Sequence, residues 1–317
     1  MKQHQEPYIL VFGISIYDIF GFTKSNYRAK DSNPGSVKVS FGGVCRNIAE
    51  NMARVGVNTK FISVVGDDQI GQSIIEHAKR MNFDMSDSLI VKGGATPTYM
   101  AILDEEGEMV SAIVDINICH HLTDAFIESK RDVIMNSDYM VFGADNPESI
   151  EYIVKNFKGK TKFVLDPVSG PKAAQIKHLL PYFHTVKPNR HEAAMMCGFD
   201  IKTVEDVRKA GTYFMEQGVH NVFISLDAEG VYYKNASEEG IIKPHTVDVV
   251  NVTGAGDSFI AGVGYAYMND LSMVETVKLS QAMSIITISH HETIHPNMNL
   301  DYVLEHVNDV SWDEVTF

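Results

Sequence analysis

Cysteine is scarce in this sequence: Cys45, Cys119 and Cys197 are the only 3 among 317 residues. An odd number at such wide spacing supports neither a disulfide framework nor a CxxC metal knuckle, so reduced thiols are expected. Basic residues are also in deficit. Lys plus Arg number 27 against 41 Asp plus Glu, a net charge of −14, with the cations scattered rather than gathered in runs. That balance argues against nucleic acid or an anionic membrane as the main partner. The apolar run in "YILVFGI" is far too short to span a bilayer and no cleavage site follows it, so a soluble cytoplasmic protein is expected. Low-complexity tracts, solenoid-period repeats and Pro/Ser-rich linkers are missing too, which leaves nothing to divide the chain.

What the chain does contain is an alternation. Apolar runs of strand length stand at 8–14, 60–65, 138–144, 161–167, 184–189 and 221–226, most of them separated by stretches of helical period such as "NIAENMARVG" and "ESIEYIVKNF". This pattern predicts an α/β fold, a mainly parallel sheet flanked by helices on both faces. Two stretches break the rhythm, "GSVKVSFGG" at 35–43 and the region 88–114, where alternating residues surround an acidic hairpin. The expectation is one α/β domain over 1–317 with a small β-strand lid inserted at those places, or an ordinary edge hairpin in their stead.

Ligands of open parallel sheets lie beyond the C-terminal strand ends. That rule singles out the segment from Gly13 to Asp18, then Asp145, Asp166, Asn189, Ser225 and the turn Thr253-Gly254-Ala255-Gly256-Asp257. A small-residue turn feeding a helix presents free backbone N–H groups at the positive end of the helix dipole and suits a phosphate. Asp257 is the odd member, because a carboxylate would repel that phosphate. It is either the base for an attacking hydroxyl or an acid in the first helical turn, and the pentapeptide alone leaves both open.

The segment "NVTGAGDSF" resembles the C-terminal signature of the PfkB (ribokinase-like) carbohydrate kinases. "GGVCRNIAENMARVG" resembles the N-terminal one, with Gly42, Gly43, Asn47, Ala49, Gly56 and Gly66 at the family's spacing. The likeness runs from about Tyr8 to about Asn297. Within the family, "DSNPG", "GGVCRNIA", "DPVS", "KPNR" and "NVTGAGD" are similar to the bacterial pseudouridine kinases. Cys45 stands where the signature has Gly, Ala or Pro, Asp227 where many members have Gly, and Asn251 where many have Asp.

The resemblance implies transfer of the γ-phosphoryl of ATP, with Mg²⁺, to a primary hydroxyl of a small-molecule nucleoside or sugar. It makes Asp257 the base and the amides of Gly254, Ala255 and Gly256 the stabilisers of transferring charge. Asp18, Gly42, Gly43 and Asn47 would hold the acceptor, with Thr98, Asp115, Asn117, Asp145 and Asp166 as further contacts. Ser225, Gly230 and Thr253 would line the nucleotide with Gly254 and Gly256. Asn189 and Glu192 would organise Mg²⁺ through water, although their N-x-x-E spacing also reads as a helix capping box. Asn251 would stand near a monovalent cation such as K⁺. His291 and His295 have i, i+4 spacing, but Pro296 follows; a wall of the adenine pocket fits them better than metal. A homodimer through the lid is also implied. The competing functions are another sugar or nucleoside kinase of this family, acting on ribose, adenosine or a hexose, and a non-catalytic nucleoside sensor.

Overall fold

The computed structural model describes residues 6–245 and 247–317. Its strands are β1 (Ile9–Phe12), β2 (Ile16–Thr23), β3 (Gly35–Gly42), β4 (Thr59–Ile62), β5 (Val64–Gly66), β6 (Leu89–Val91), β7 (Thr98–Leu103), β8 (Met109–Asp115), β9 (Tyr139–Gly143), β10 (Lys162–Asp166), β11 (Phe183–Val186), β12 (Asn221–Ser225), β13 (Val231–Lys234), β14 (Glu239–Pro244) and β15 (Trp312–Thr316). The helices are α1 (Val44–Arg54), α2 (Gln69–Arg80), α3 (Asp124–Ser129), α4 (Arg131–Asn136), α5 (Pro147–Asn156), α6 (Gly170–Ile176), α7 (Arg190–Cys197), α8 (Val204–Glu216), α9 (Ala255–Met268), α10 (Met273–Ile288) and α11 (Leu300–Asp309). No described helix is long and apolar enough to cross a membrane.

Among the described residues a 9-stranded sheet runs β15-β14-β13-β12-β11-β10-β9-β1-β4. From β4 to β12 the pairings are parallel, and β13, β14 and β15 close that edge antiparallel. Continuous apolar runs make such strands because both faces are covered. Ile9 and Val11 of β1 join Ile48, Met52, Ile260 and Met283 on one side, while Leu10 and Phe12 join Ile150, Ile153, Met196 and Phe214 on the other.

The run at 60–65 is not one strand. It breaks at Ser63, whose amide donates to Ser88 Oγ at 3.1 Å and whose carbonyl accepts from Leu89, so β5 leaves the main sheet and pairs with β6.

The second, 4-stranded sheet is ordered β3-β2-β7-β8. Its β2 lies between the two inserted stretches and carries Asp18, although nothing in its sequence alternation marks it as a lid strand. Side chains alternate between the faces of a strand. Asp18 therefore shares a face with Ser40 and Tyr99, its register partners, whereas Tyr17 shares the opposite face with Phe41, Thr98 and Asp115.

Helix α9 reaches its place through two glycines. A side chain at Gly262 would come within 2.6 Å of the Ser280 backbone in α10, and one at Gly264 would collide with Met52 of α1 and approach Ile9 of the sheet to 3.0 Å. Gly262 thus serves helix–helix contact, not contact with the sheet. Gly262→Val should lower stability by about 1–3 kcal/mol through overpacking, read as a drop in the urea midpoint at unchanged m-value.

Candidate active site

The C-terminal ends of β1, β10 and β11 converge with the root of the lid. After β1 the chain passes through Gly13–Ser15 into β2, which delivers Asp18. Gly42 and Gly43 turn the chain from β3 into α1. A side chain at Gly42 would overlap the Asp18 carboxylate, and Gly43 holds a φ of 97° against the Ile14 carbonyl, so neither position accepts another residue. The first turn of α1 then carries Asn47 to Asp257, and Asn47 Nδ2 donates to Asp257 Oδ2 at 2.8 Å.

Asp257 is buried, and its carboxyl is pushed up to about 7, first by burial and next by the charge of Asp166. The Asn47 hydrogen bond, Lys187 and Arg46 pull it the other way. Burial likewise pushes Asp18 up to about 6 against the pull of Arg46. A buried carboxyl raised toward neutrality, as that of Asp257 is, suits proton transfer at physiological pH.

The turn before α9 is shaped for an anion. Gly254 has a φ of 86°, and a side chain there would strike the Thr293 carbonyl. The Ala255 amide leans on the Val252 carbonyl at 3.4 Å, while the amides of Gly256 and Asp257 have no partner one turn earlier in the helix. Behind them lies Lys187, 5% exposed, with its nearest carboxylate, Asp166, at 4.0 Å. A side chain at Gly256 would come within 2.8 Å of Lys187 Nζ. A buried ammonium so loosely paired, at the positive end of a helix, is stabilised by an incoming negative charge.

Nucleotide-side candidates gather at the ends of β11 and β12. Asn189 and Ser225 pair as a β-bridge. Asn189 and Glu192 form the full capping box, Glu192 Oε2 accepting from the Asn189 amide at 2.8 Å and Asn189 Oδ1 from the Glu192 amide at 2.8 Å. One oxygen of the Glu192 carboxylate is left over, so capping and ligand binding are compatible. Asp227 takes a left-handed φ of 53°, a conformation that favours glycine, and Gly230 packs against the Ile242 carbonyl where no side chain fits. Thr253 donates its amide to Asn251 Oδ1 at 3.0 Å.

Asp166 sits at the centre of the floor. Its Oδ1 accepts from the Val168 amide at 2.8 Å, an arrangement secured by a tight turn in which Ser169 N donates to Pro167 O at 2.7 Å and Val168 holds a φ of 67°. A β-branched residue at positive φ is strained, and here the strain aims an amide at Asp166. Asp145 pairs with Lys172 of α6 at 2.5 Å.

The chain as a whole is similar to known proteins. The model of the pfkB family carbohydrate kinases matches residues 6–300. The chain is a pfkB-family kinase. Its relatives include the pseudouridine kinase of Escherichia coli, 33% identical over 96% of this chain and 98% of that one. A protein of Clostridium perfringens known from its crystal structure is 55% identical, covers 99% of both chains and superposes with a TM-score of 0.94. The ribokinase of Arabidopsis thaliana, solved with ribose and ATP, shares the fold at a TM-score of 0.83 and 20% identity, over 96% of this chain and 99% of its own.

As a pfkB-family member the chain is a phosphotransferase acting on a hydroxyl group. Not every residue singled out from its sequence meets at the site. Thr98 and Asp115 pair with each other on the lid face opposite Asp18, while Asn117 opens the short helical turn Asn117–His121 that follows β8. Asn251 has both ends of its amide engaged, Oδ1 by Thr253 and Nδ2 by the His291 carbonyl at 3.1 Å. That geometry makes it a clasp between two loops, with the second lone pair of its Oδ1 left over. His291 is exposed and His295 packs on Tyr302, and among the described residues no group of three or more His, Cys, Asp or Glu side chains could hold a metal. Conversely, Lys187, Lys172 and Arg46 escaped notice. Lys187 carried one usable signal, a cation placed directly after a buried apolar run.

If Asp257 must be ionised to act, kcat/KM of this pfkB-family kinase should fall about tenfold per pH unit on the acid side of about 7. The same raised carboxyl opposes folding as it ionises: stability falls as pH rises from the ordinary Asp range through about 7. Asp257→Asn should therefore raise Tm, by more at pH 8 than at pH 5, while removing about 10²- to 10⁴-fold of turnover. Thermal melts and initial rates check both.

Proposed function

We propose that this kinase uses ATP to phosphorylate the 5′-hydroxyl of pseudouridine, giving pseudouridine 5′-phosphate and ADP. The observation that carries the catalytic part is the Asn47–Asp257 hydrogen bond, set between Asp18 and the N-terminus of α9. The choice of acceptor rests on similarity to the Escherichia coli enzyme, together with the sequence features named above.

In this reading Asp18 and Asn47 hold the acceptor's secondary hydroxyls, with the backbone of Gly42 and Gly43 close by. Asn47 occupies Asp257 Oδ2, so Oδ1 remains to take the proton of the 5′-hydroxyl as that oxygen attacks the γ-phosphorus. The bond from phosphorus to the leaving oxygen of ADP breaks as the new bond forms. Charge on the transferring group meets Lys187 and the amides of Gly254, Ala255, Gly256 and Asp257. Ser225, Gly230 and Thr253 line the nucleotide phosphates, and Asp145 and Asp166 border the acceptor.

Burial, chiefly, holds the carboxyls of both Asp166 and Glu192 above their usual range, and their mutual repulsion raises Glu192 further; such hard oxygen donors, short of positive charge, fit Mg²⁺. Asn189 and Glu192 would hold that ion through water, and it would neutralise phosphate charge. K⁺ would draw on the second lone pair of Asn251 Oδ1, whose first accepts from the Thr253 amide.

A cytoplasmic setting fits three free thiols and the use of ATP. The lid adds a partner. Across its four strands Val39, Ile19, Met100 and Ile113 fall in one register row on the face away from Asp18, and Val39, Met100 and Ile113 are exposed. An apolar row of that kind suits a second copy of the chain, giving a homodimer through the lid. Val39→Lys with Ile113→Lys should turn a dimer into a monomer in sedimentation velocity.

A phosphorylation panel tests the acceptor. Pseudouridine should exceed ribose, adenosine and hexoses in kcat/KM, and robust turnover of ribose with none of pseudouridine would overturn the assignment. Asn117, polar and exposed just beyond the lid, is the candidate for the base edge. Asn117→Ala should cut the preference for pseudouridine over ribose by about tenfold or more, as loss of a polar base contact does; an unchanged ratio removes Asn117 from the site.

A further inference from the structure

An amide side chain has a donor end and an acceptor end, and a carboxylate base needs the donor end turned toward it. Nothing in Asn47 itself enforces that choice. Its neighbour does: Arg46 Nη1 donates to Asn47 Oδ1 at 3.0 Å, and a guanidinium has no acceptor with which to tolerate the reversed amide. Hydrogen bonds thus run in one direction, from Arg46 to Asn47 to Asp257.

We infer that Arg46 is a positioning residue that sets the orientation of the Asn47 amide and thereby holds the Asp257 carboxylate for the acceptor hydroxyl. The inference rests on the phosphotransferase role given to Asp257 above.

Arg46 is itself immobilised from β3 and α1 and, through Glu50, from α2. Nη1 also donates to the Phe41 carbonyl at the end of β3, at 2.5 Å, and Nη2 pairs with Glu50 one turn along α1. Glu50 in turn accepts from Arg54 Nε at 2.9 Å and contacts His77 Nε2 of α2 at 2.8 Å. The His77 ring packs on Phe41 with centroids 5.1 Å apart, and Phe41 on Tyr17 of β2 at 5.9 Å. The guanidinium cannot rotate without dismantling that set.

The arrangement is costly. Arg46 is buried, and its Nε has no hydrogen-bond partner. A buried ion pair is poor evidence of stabilisation, because apolar residues of similar volume commonly serve the fold as well. An apolar pair in place of Arg46 and Glu50 could fill the space but could not orient an amide. The charged groups that bear on Asp257 are Arg46 from α1, Asp166 from β10 and Lys187 after β11; Asp18 from β2 shares Arg46 with it.

Arg46→Lys keeps the charge and its pairing with Glu50 but loses the fork that reaches Phe41 and Asn47 together. With the acceptor that the wild type uses best, kcat should fall about tenfold or more while KM for ATP stays within about twofold. The acid limb of the kcat profile should move to higher pH, since an amide free to reverse presents Oδ1 to Asp257 and favours its protonated form. In an Asn47→Ala background the same change should cost almost nothing further. Arg46→Gln is the second variant, and circular dichroism shows which of the two is folded. An unmoved acid limb with kcat within about twofold of wild type would overturn the inference, as would losses that multiply in the double variant. Collapse of the fold in both variants would also overturn it, by making Arg46 a residue of the fold first. A wild type inactive on every acceptor would remove the phosphotransferase reading and this one with it; an active wild type matched by Arg46→Lys removes only this one.

Discussion

The hydrogen bond from Asn47 to Asp257 joins the first turns of two helices that lie 210 residues apart in sequence, and their relative position determines what the site can do. Helix α1 is placed by the glycine pair that turns the chain out of the lid. Helix α9 is placed by Gly262 and Gly264, which let it lie against α10 on one side and against α1 and β1 on the other. A displacement of either helix by an ångström would lengthen the bond past a useful distance. Much of the central packing can therefore be seen as holding two short polar side chains in register.

Charge explains the rest of the floor. Asp18, Asp145, Asp166 and Asp257 crowd the strand ends, and Arg46, Lys172 and Lys187 are set among them. Only Lys172 makes a close pair with one of these acids, Asp145. The others leave Asp18, Asp166 and Asp257 with carboxyls raised by burial and short of positive charge. Such a site is electrically unfinished until an anion reaches Lys187 and a cation reaches the acids, which is the combination that a metal-bound phosphate brings.

Much of this was legible in the sequence, for identifiable reasons. Buried parallel strands announce themselves as continuous apolar runs, and glycines that no other residue can replace announce turns, so the sheet and the two signatures could be read directly. Face and partner could not. A shift of one residue in register exchanges the two sides of a strand, so nothing in "TYMAIL" says that Thr98 looks away from Asp18. The same limit hid β2, whose mixed pattern suits a strand wet on both faces, and the antiparallel edge from β13 to β15. Arg46 and Lys187 were missed because an isolated cation in a helix or at a strand end looks like a surface residue until its burial is known. Asn251 shows the same limit from another side: a position that suggested an ion also ties two loops together through backbone partners, which its sequence does not announce.

The outer strand of the lid has a consequence of a different kind. Residues Met109–Asp115, "MVSAIVD", are exposed along their whole length, and β8 ends its sheet with one edge unpaired by any described strand. Five apolar side chains of that segment, on a free edge, make a template on which other chains can polymerise. The acidic turn before it, Asp104-Glu105-Glu106-Gly107-Glu108, and Asp115 after it put like charges at both ends of that edge, where they oppose its pairing with another copy. The negative charge in this hairpin thus works against the stickiness of the strand it precedes.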